Sequence, residues 1–76
     1  MKVLKVRARD GKTYEVTTAA PGGEHEVYFE KKLMGTFTLL PTETKVSVRS
    51  NAMTEILLVD IADRFVAQGG GPMGIA

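Results

Sequence analysis

Polar and apolar residues alternate along most of the first fifty positions of this chain. From residue 2 to 9, Leu4, Val6 and Ala8 fall on one side, and Lys5, Arg7 and Arg9 on the other. A period of two marks a strand buried on one face. The pattern resumes over 13–18, where Tyr14 and Val16 oppose Thr13, Glu15 and Thr17. Asp10-Gly11-Lys12 between the two runs reads as a turn. The two apolar sets must share a face, so paired residue numbers must sum to an even number. A three-residue loop meets that condition and is expected to pair Arg9 with Thr13, Ala8 with Tyr14, Arg7 with Glu15 and Val6 with Val16.

Pro21-Gly22-Gly23 centres a loop over 19–25. Strands are expected at 26–32, with Val27 and Phe29 inward and Tyr28 outward, at 36–40, and at 45–49, with Lys45, Ser47 and Arg49 outward. Leu33-Met34-Gly35 and Ser50-Asn51-Ala52 are the expected turns. Residues 52–68 can be read as one long helix, with Asn51 as N-cap and Gly69 just past its end, or as a strand followed by a helix. Placed 100° apart, Leu58, Val59, Ile61, Ala62, Phe65 and Val66 gather on one side, but Met53, Ile56 and Leu57 land among the polar residues. That mismatch divides the segment into a buried strand over 54–59 and a two-turn helix capped by Asp60 and ended by Gly69. Residues 1–68 thus form one β-rich α+β domain. It is expected to be a small antiparallel barrel or sandwich of five or six strands with a short C-terminal helix, and 69–76 form a glycine-rich tail.

Composition narrows the chemistry. With 76 residues, no cysteine and one histidine, disulfides, thiolate metal sites and a cysteine nucleophile are excluded, and a histidine-rich metal site with them. A core this small commonly needs a partner for stability, so a homo-oligomer or incorporation into a larger protein assembly is expected. No targeting signal is visible, and the longest apolar run, 56–59, is far too short to cross a bilayer. The expected location is the cytoplasm, or a particle assembled inside the cell.

The sequence shows no nucleophile elbow, P-loop or dinucleotide fingerprint, and Gly69-Gly70-Gly71 follows a helix instead of opening one. Glu24-His25-Glu26 reads as part of a solvated loop. No catalytic residue, cofactor or metal ligand is assigned, and the chain reads as something other than an enzyme.

Net charge is +1, but residues 1–12 hold five bases against one acid, and the remainder five bases against eight acids. Same-face residues on a strand lie about 6.6–7 Å apart, near the phosphate repeat of a nucleic-acid strand. The candidate contact residues are therefore Lys5, Arg7 and Arg9, extended by Lys45 and Arg49 and by the outward Tyr28 as a stacking platform. Met73 and Ile75 are the candidate contacts of the tail.

Val6-Arg7-Ala8-Arg9-Asp10-Gly11-Lys12-Thr13-Tyr14 resembles the opening hairpin of Sm-like and other small barrels. Ala8-Arg9-Asp10-Gly11 and Val46-Ser47-Val48-Arg49 resemble segments of the ring-forming tryptophan RNA-binding attenuation proteins. The second resemblance implies RNA contact at Lys31 and Arg49. The loop over 19–25 has no clear counterpart to that family's tryptophan-binding loop, and the helix departs from its fold. The leading functional expectation is a non-catalytic assembly or binding module, a self-associating structural or adaptor subunit. The alternative is a small RNA- or single-stranded-DNA-binding protein, in the form of a homo-oligomeric ring.

Overall fold

The computed structural model describes residues 3–17 and 23–69. Five strands follow one another in a single antiparallel sheet of order β1-β2-β3-β4-β5. They are β1 (Val3–Arg7), β2 (Thr13–Thr17), β3 (Glu24–Phe29), β4 (Lys32–Leu39) and β5 (Thr44–Val48), followed by one helix, α1 (Glu55–Ala67). The fold is β-rich α+β, as the alternation predicts. The barrel or sandwich is corrected to a single open sheet: β1 and β5 are both edges, and the helix touches β1, β4 and β5 across the opening.

The β1–β2 hairpin keeps the expected even-numbered register but shifts it by two. Val6 faces Tyr14, Leu4 faces Val16, and Lys5, not Arg7, faces Glu15. The loop does have three residues, Arg9, Asp10 and Gly11, one position earlier than expected. Gly11 N–H bonds Ala8 O at 3.0 Å, Ala8 N–H bonds Lys12 O at 2.9 Å, and Gly11 supplies the positive φ of 84°. The polar ends of Asp10 lock it: Oδ1 accepts Lys12 N–H at 2.9 Å and Oδ2 accepts the Tyr14 hydroxyl at 2.8 Å.

The turn expected at 33–35 lies at Glu30-Lys31, which joins Phe29 to Lys32 with positive φ at both residues, 49° and 67°. That two-residue geometry normally selects Asn or Gly, so Glu-Lys gives no sequence signal for it. Beyond it β4 carries a bulge. Val27 pairs with Gly35 and Tyr28 with Leu33, and the extra residue, Met34, is buried. At Gly35 the helix comes closest to the sheet. A Cβ there would stand 2.7 Å from Leu58 Cδ1 and 2.8 Å from Ser47 O, so only glycine admits this approach.

The division of 52–68 into strand and helix is corrected to one helix. Thr54, not Asp60, is its N-cap: its backbone is extended (φ −124°, ψ 160°) and its Oγ1 accepts Leu57 N–H at 3.1 Å. Leu58, Ile61, Ala62 and Phe65 form the buried stripe at i, i+3, i+4 and i+7. Of the three apolar residues that project among the polar ones, Met53 precedes the helix and Ile56 is 71% exposed, so neither belongs to its buried stripe; Val59, on the apolar side of the projection, is itself 39% exposed. Gly69, at φ 82°, ends the helix as expected.

The core holds Val6, Tyr14, Val16, Val27 and Phe37 from the sheet under Leu58, Ile61 and Phe65. His25, read as part of a solvated loop, is instead 1% exposed in β3. Its ring stacks on Phe37 at 5.0 Å and meets Phe65 at 4.9 Å. Among the described residues β2 pairs with β3 at Glu15 and Val16, and at Thr17 side chains take over. His25 Nδ1 bonds Thr17 O at 2.8 Å, and Thr17 Oγ1 accepts Glu26 N–H at 2.9 Å. A carbonyl only accepts, so Nδ1 carries the proton and Nε2 is the bare acceptor, with no partner among the described residues.

Candidate functional site

The six candidate contact residues occupy four separate places. Lys5 and Arg7 lie on the outer face of β1, at one edge of the sheet. Arg9 has left that face at the hairpin turn. Its N–H bonds Asp60 Oδ2 at 3.0 Å, and its side chain lines a hollow with Asp60 and Asp63. Lys45 lies on β5, at the opposite edge, and Arg49 follows that strand. Tyr28 is outward on β3, half-buried, and its hydroxyl bonds Glu26 Oε1 at 3.1 Å. That hydrogen bond to a carboxylate raises the Tyr28 phenol above its ordinary value of 10.

Between the two basic edges the outer face is acidic. Lys5 faces Glu15, Glu15 faces Tyr28, and Glu24 and Glu26 follow on β3. Lys12 lies over the Phe29 ring at 5.4 Å, engaged as a cation–π partner. Lys31 occupies the β3–β4 turn, away from the Lys5 and Arg7 row. Lys2, Met73 and Ile75 lie outside the described residues. Among the described residues no three acidic or histidine side chains are grouped as a metal site requires, and no helix is long and apolar enough to cross a membrane.

The two sheet edges differ, and the difference follows from the phase of their hydrogen bonds. In an antiparallel strand alternate residues bond one neighbour, and the others turn both N–H and C=O the opposite way. On β1 the Ala8–Lys12 bond fixes the phase, so Lys5 and Arg7 turn outward. The helix closes that edge. Gln68 Nε2 donates to Lys5 O at 3.0 Å, an Arg64 guanidinium N–H donates to Arg7 O at 3.3 Å, and Asp60 takes Arg9 N–H. Asp60, Arg64 and Gln68 stand at i, i+4 and i+8, one stripe of the helix, and Asp60 also pairs with Arg64 Nε at 2.9 Å. Asp60, expected as a cap, is thus one of three side chains that cover an edge strand.

On β5, Leu40 N–H bonds Glu43 O at 2.9 Å and Arg49 N–H bonds Met34 O at 3.0 Å. Glu43, Lys45, Ser47 and Arg49 therefore face β4, and Thr44, Val46 and Val48 turn their backbone groups to the free edge. Among the described residues, none of these outward groups has a hydrogen-bond partner. Val46, with Ile56 and Val59 of the helix, lines the open hollow that Arg9, Glu55, Asp60 and Asp63 complete. Val48, 38% exposed, continues the apolar side of the strand.

Glu43 and Ile56 are surface residues that the alternation and charge pattern do not single out, and Val59, sorted with the apolar side of the helix, is 39% exposed. The signal was present: Ile56 fell on the polar side of the helical projection because it is an exposed apolar residue on a real helix. No family model, curated protein or solved structure matches this chain, so its function is read from geometry alone.

Proposed function

We propose that this chain is a non-catalytic assembly module, a self-associating structural or adaptor subunit that works through the free edge of β5. One observation carries the reading: β1 is covered by the helix stripe, whereas the outward N–H and C=O groups of β5 are unpaired among the described residues and stand beside exposed Val48, Ile56 and Val59. An open edge next to apolar surface is a template for another strand. The separation of the basic residues by Glu15, Glu24 and Glu26 weighs against the RNA- or single-stranded-DNA-binding alternative, which calls for a continuous basic track. Sedimentation equilibrium tests the proposal. A mass that rises above 8.2 kDa with concentration is the expected result, and a mass fixed at that value across the accessible range overturns it.

A further inference from the structure

Resting on that reading, we propose that the occupant of the β5 edge is β5 of a second copy, paired antiparallel about a two-fold axis at Val46. Three features of the chain select this partner.

The first is the closure of β1. Head-to-tail association would set β5 of one copy against β1 of the next and generate a ring or a filament. The carbonyls of Lys5 and Arg7 and the N–H of Arg9 are already taken by Gln68, Arg64 and Asp60. The remaining strand-to-strand contact between identical chains is β5 with itself, which is isologous and closes as a dimer.

The second is register. The outward backbone groups belong to Thr44, Val46 and Val48, so a hydrogen-bonded match must place even residues opposite even residues. Centring on Val46 sets Val46 opposite Val46 of the second copy, Thr44 opposite Val48, Lys45 opposite Ser47, and Glu43 opposite Arg49. Both oppositely charged pairs then fall on the outer face, at positions where directly opposed side chains come closest. A slip of two residues in one direction puts Lys45 opposite Lys45, and a slip in the other puts Lys45 opposite Arg49. Charge therefore favours the centred match and opposes its neighbours. In it Arg49 and Lys45 act at a protein edge and do not serve as phosphate contacts.

The third is the apolar flank. A two-fold axis normal to the sheet keeps both inner faces, and both helices, on one side. The exposed side chains of Val48, Ile56 and Val59 then lie beside the joined strands, where the second copy removes their surface from water.

Charge exchange tests this, since Glu43 and Arg49 are exposed and their side chains bond nothing among the described residues. Glu43→Arg and Arg49→Glu, each alone, should weaken self-association roughly tenfold, with circular dichroism unchanged. The double variant should restore the wild-type dissociation constant. In hydrogen exchange, the amides of Thr44, Val46 and Val48 should gain protection as concentration rises. A dimer indifferent to either charge change, with these amides exchanging freely, overturns the β5 pairing but leaves self-association standing. A chain that stays monomeric overturns both.

Discussion

Asp10 and Tyr14 show how much of the hairpin depends on two side chains. Burial alone pushes the Asp10 carboxyl up, but the Lys12 N–H, the Tyr14 hydroxyl and the Lys12 charge together hold it below its ordinary 3.8. Its contribution is present above that value and is lost as pH falls through the lower folded one. Tyr14 shifts the other way. Burial, then the bond to Asp10 and that residue's charge, raise its phenol to about 12. The folded chain keeps a proton there that the unfolded chain loses near 10, so the contribution of the Tyr14 phenol is not diminished by its ionisation below pH 10 and falls between 10 and 12. Tyr14→Phe should cost roughly 1–2 kcal/mol at neutral pH. It should also flatten the decline between pH 10 and 12 relative to wild type. Urea unfolding at pH 7, 10 and 12 measures both, and an unchanged decline in the variant counts against the assignment. His25 plays a comparable part inside: its Nδ1–H replaces a missing ladder bond where β2 and β3 separate.

At the level of elements, the helix has two polar devices with different tasks. Thr54 begins it, and Asp60 fastens it to β1. Thr54→Ala should cost about 0.5–2 kcal/mol and speed amide exchange in the first helical turn. Asp60→Ala should leave that turn alone and instead expose the Arg9 amide and loosen Arg64. Residue-resolved hydrogen exchange distinguishes the two, and fraying of the first turn in Asp60→Ala would return the capping role to Asp60. Gly35 sets the depth of the same packing. Leu58 sits where a Cβ at residue 35 would be, so the helix and the sheet are fitted at one glycine.

For the molecule as a whole, the distribution of charge decides between contact surfaces. If Lys5, Arg7 and Arg9 gripped phosphates, each neutralised phosphate would add about −0.7 to the slope of log K against log salt on single strands. Replacing all three by alanine would then lower the slope by about two. The expected outcome is otherwise. Glu15 faces Lys5, Arg9 is drawn to the helix, and Lys45 lies at the far edge, so binding to single-stranded RNA or DNA should be negligible near physiological salt. Fluorescence anisotropy with labelled oligonucleotides checks this, and a dissociation constant below the micromolar range would put the nucleic-acid reading first.

The sequence by itself determined the class of fold, because strands buried on one face impose a period of two that Leu4-Val6-Ala8 and Tyr14-Val16 display without reference to anything distant. It also determined the parity of the first hairpin, since a slip of one residue would turn a whole apolar set to water. It determined the helix end at Gly69 for the same local reason, a backbone angle that glycine adopts freely. Tertiary structure decided the rest. Whether Val59, on the apolar side of the helical projection, is core or surface depends on where the sheet ends beneath the helix, which periodicity does not encode. The Glu30-Lys31 turn is held in positive φ by the strands on either side, against the preference of both residues. His25 is buried because β3 begins at Glu24, which sets its ring on the inner face with Val27, against Phe37 and Phe65. The two edges became different only when the helix lay down along β1, bringing Asp60, Arg64 and Gln68 to backbone groups more than fifty residues away and leaving β5 open.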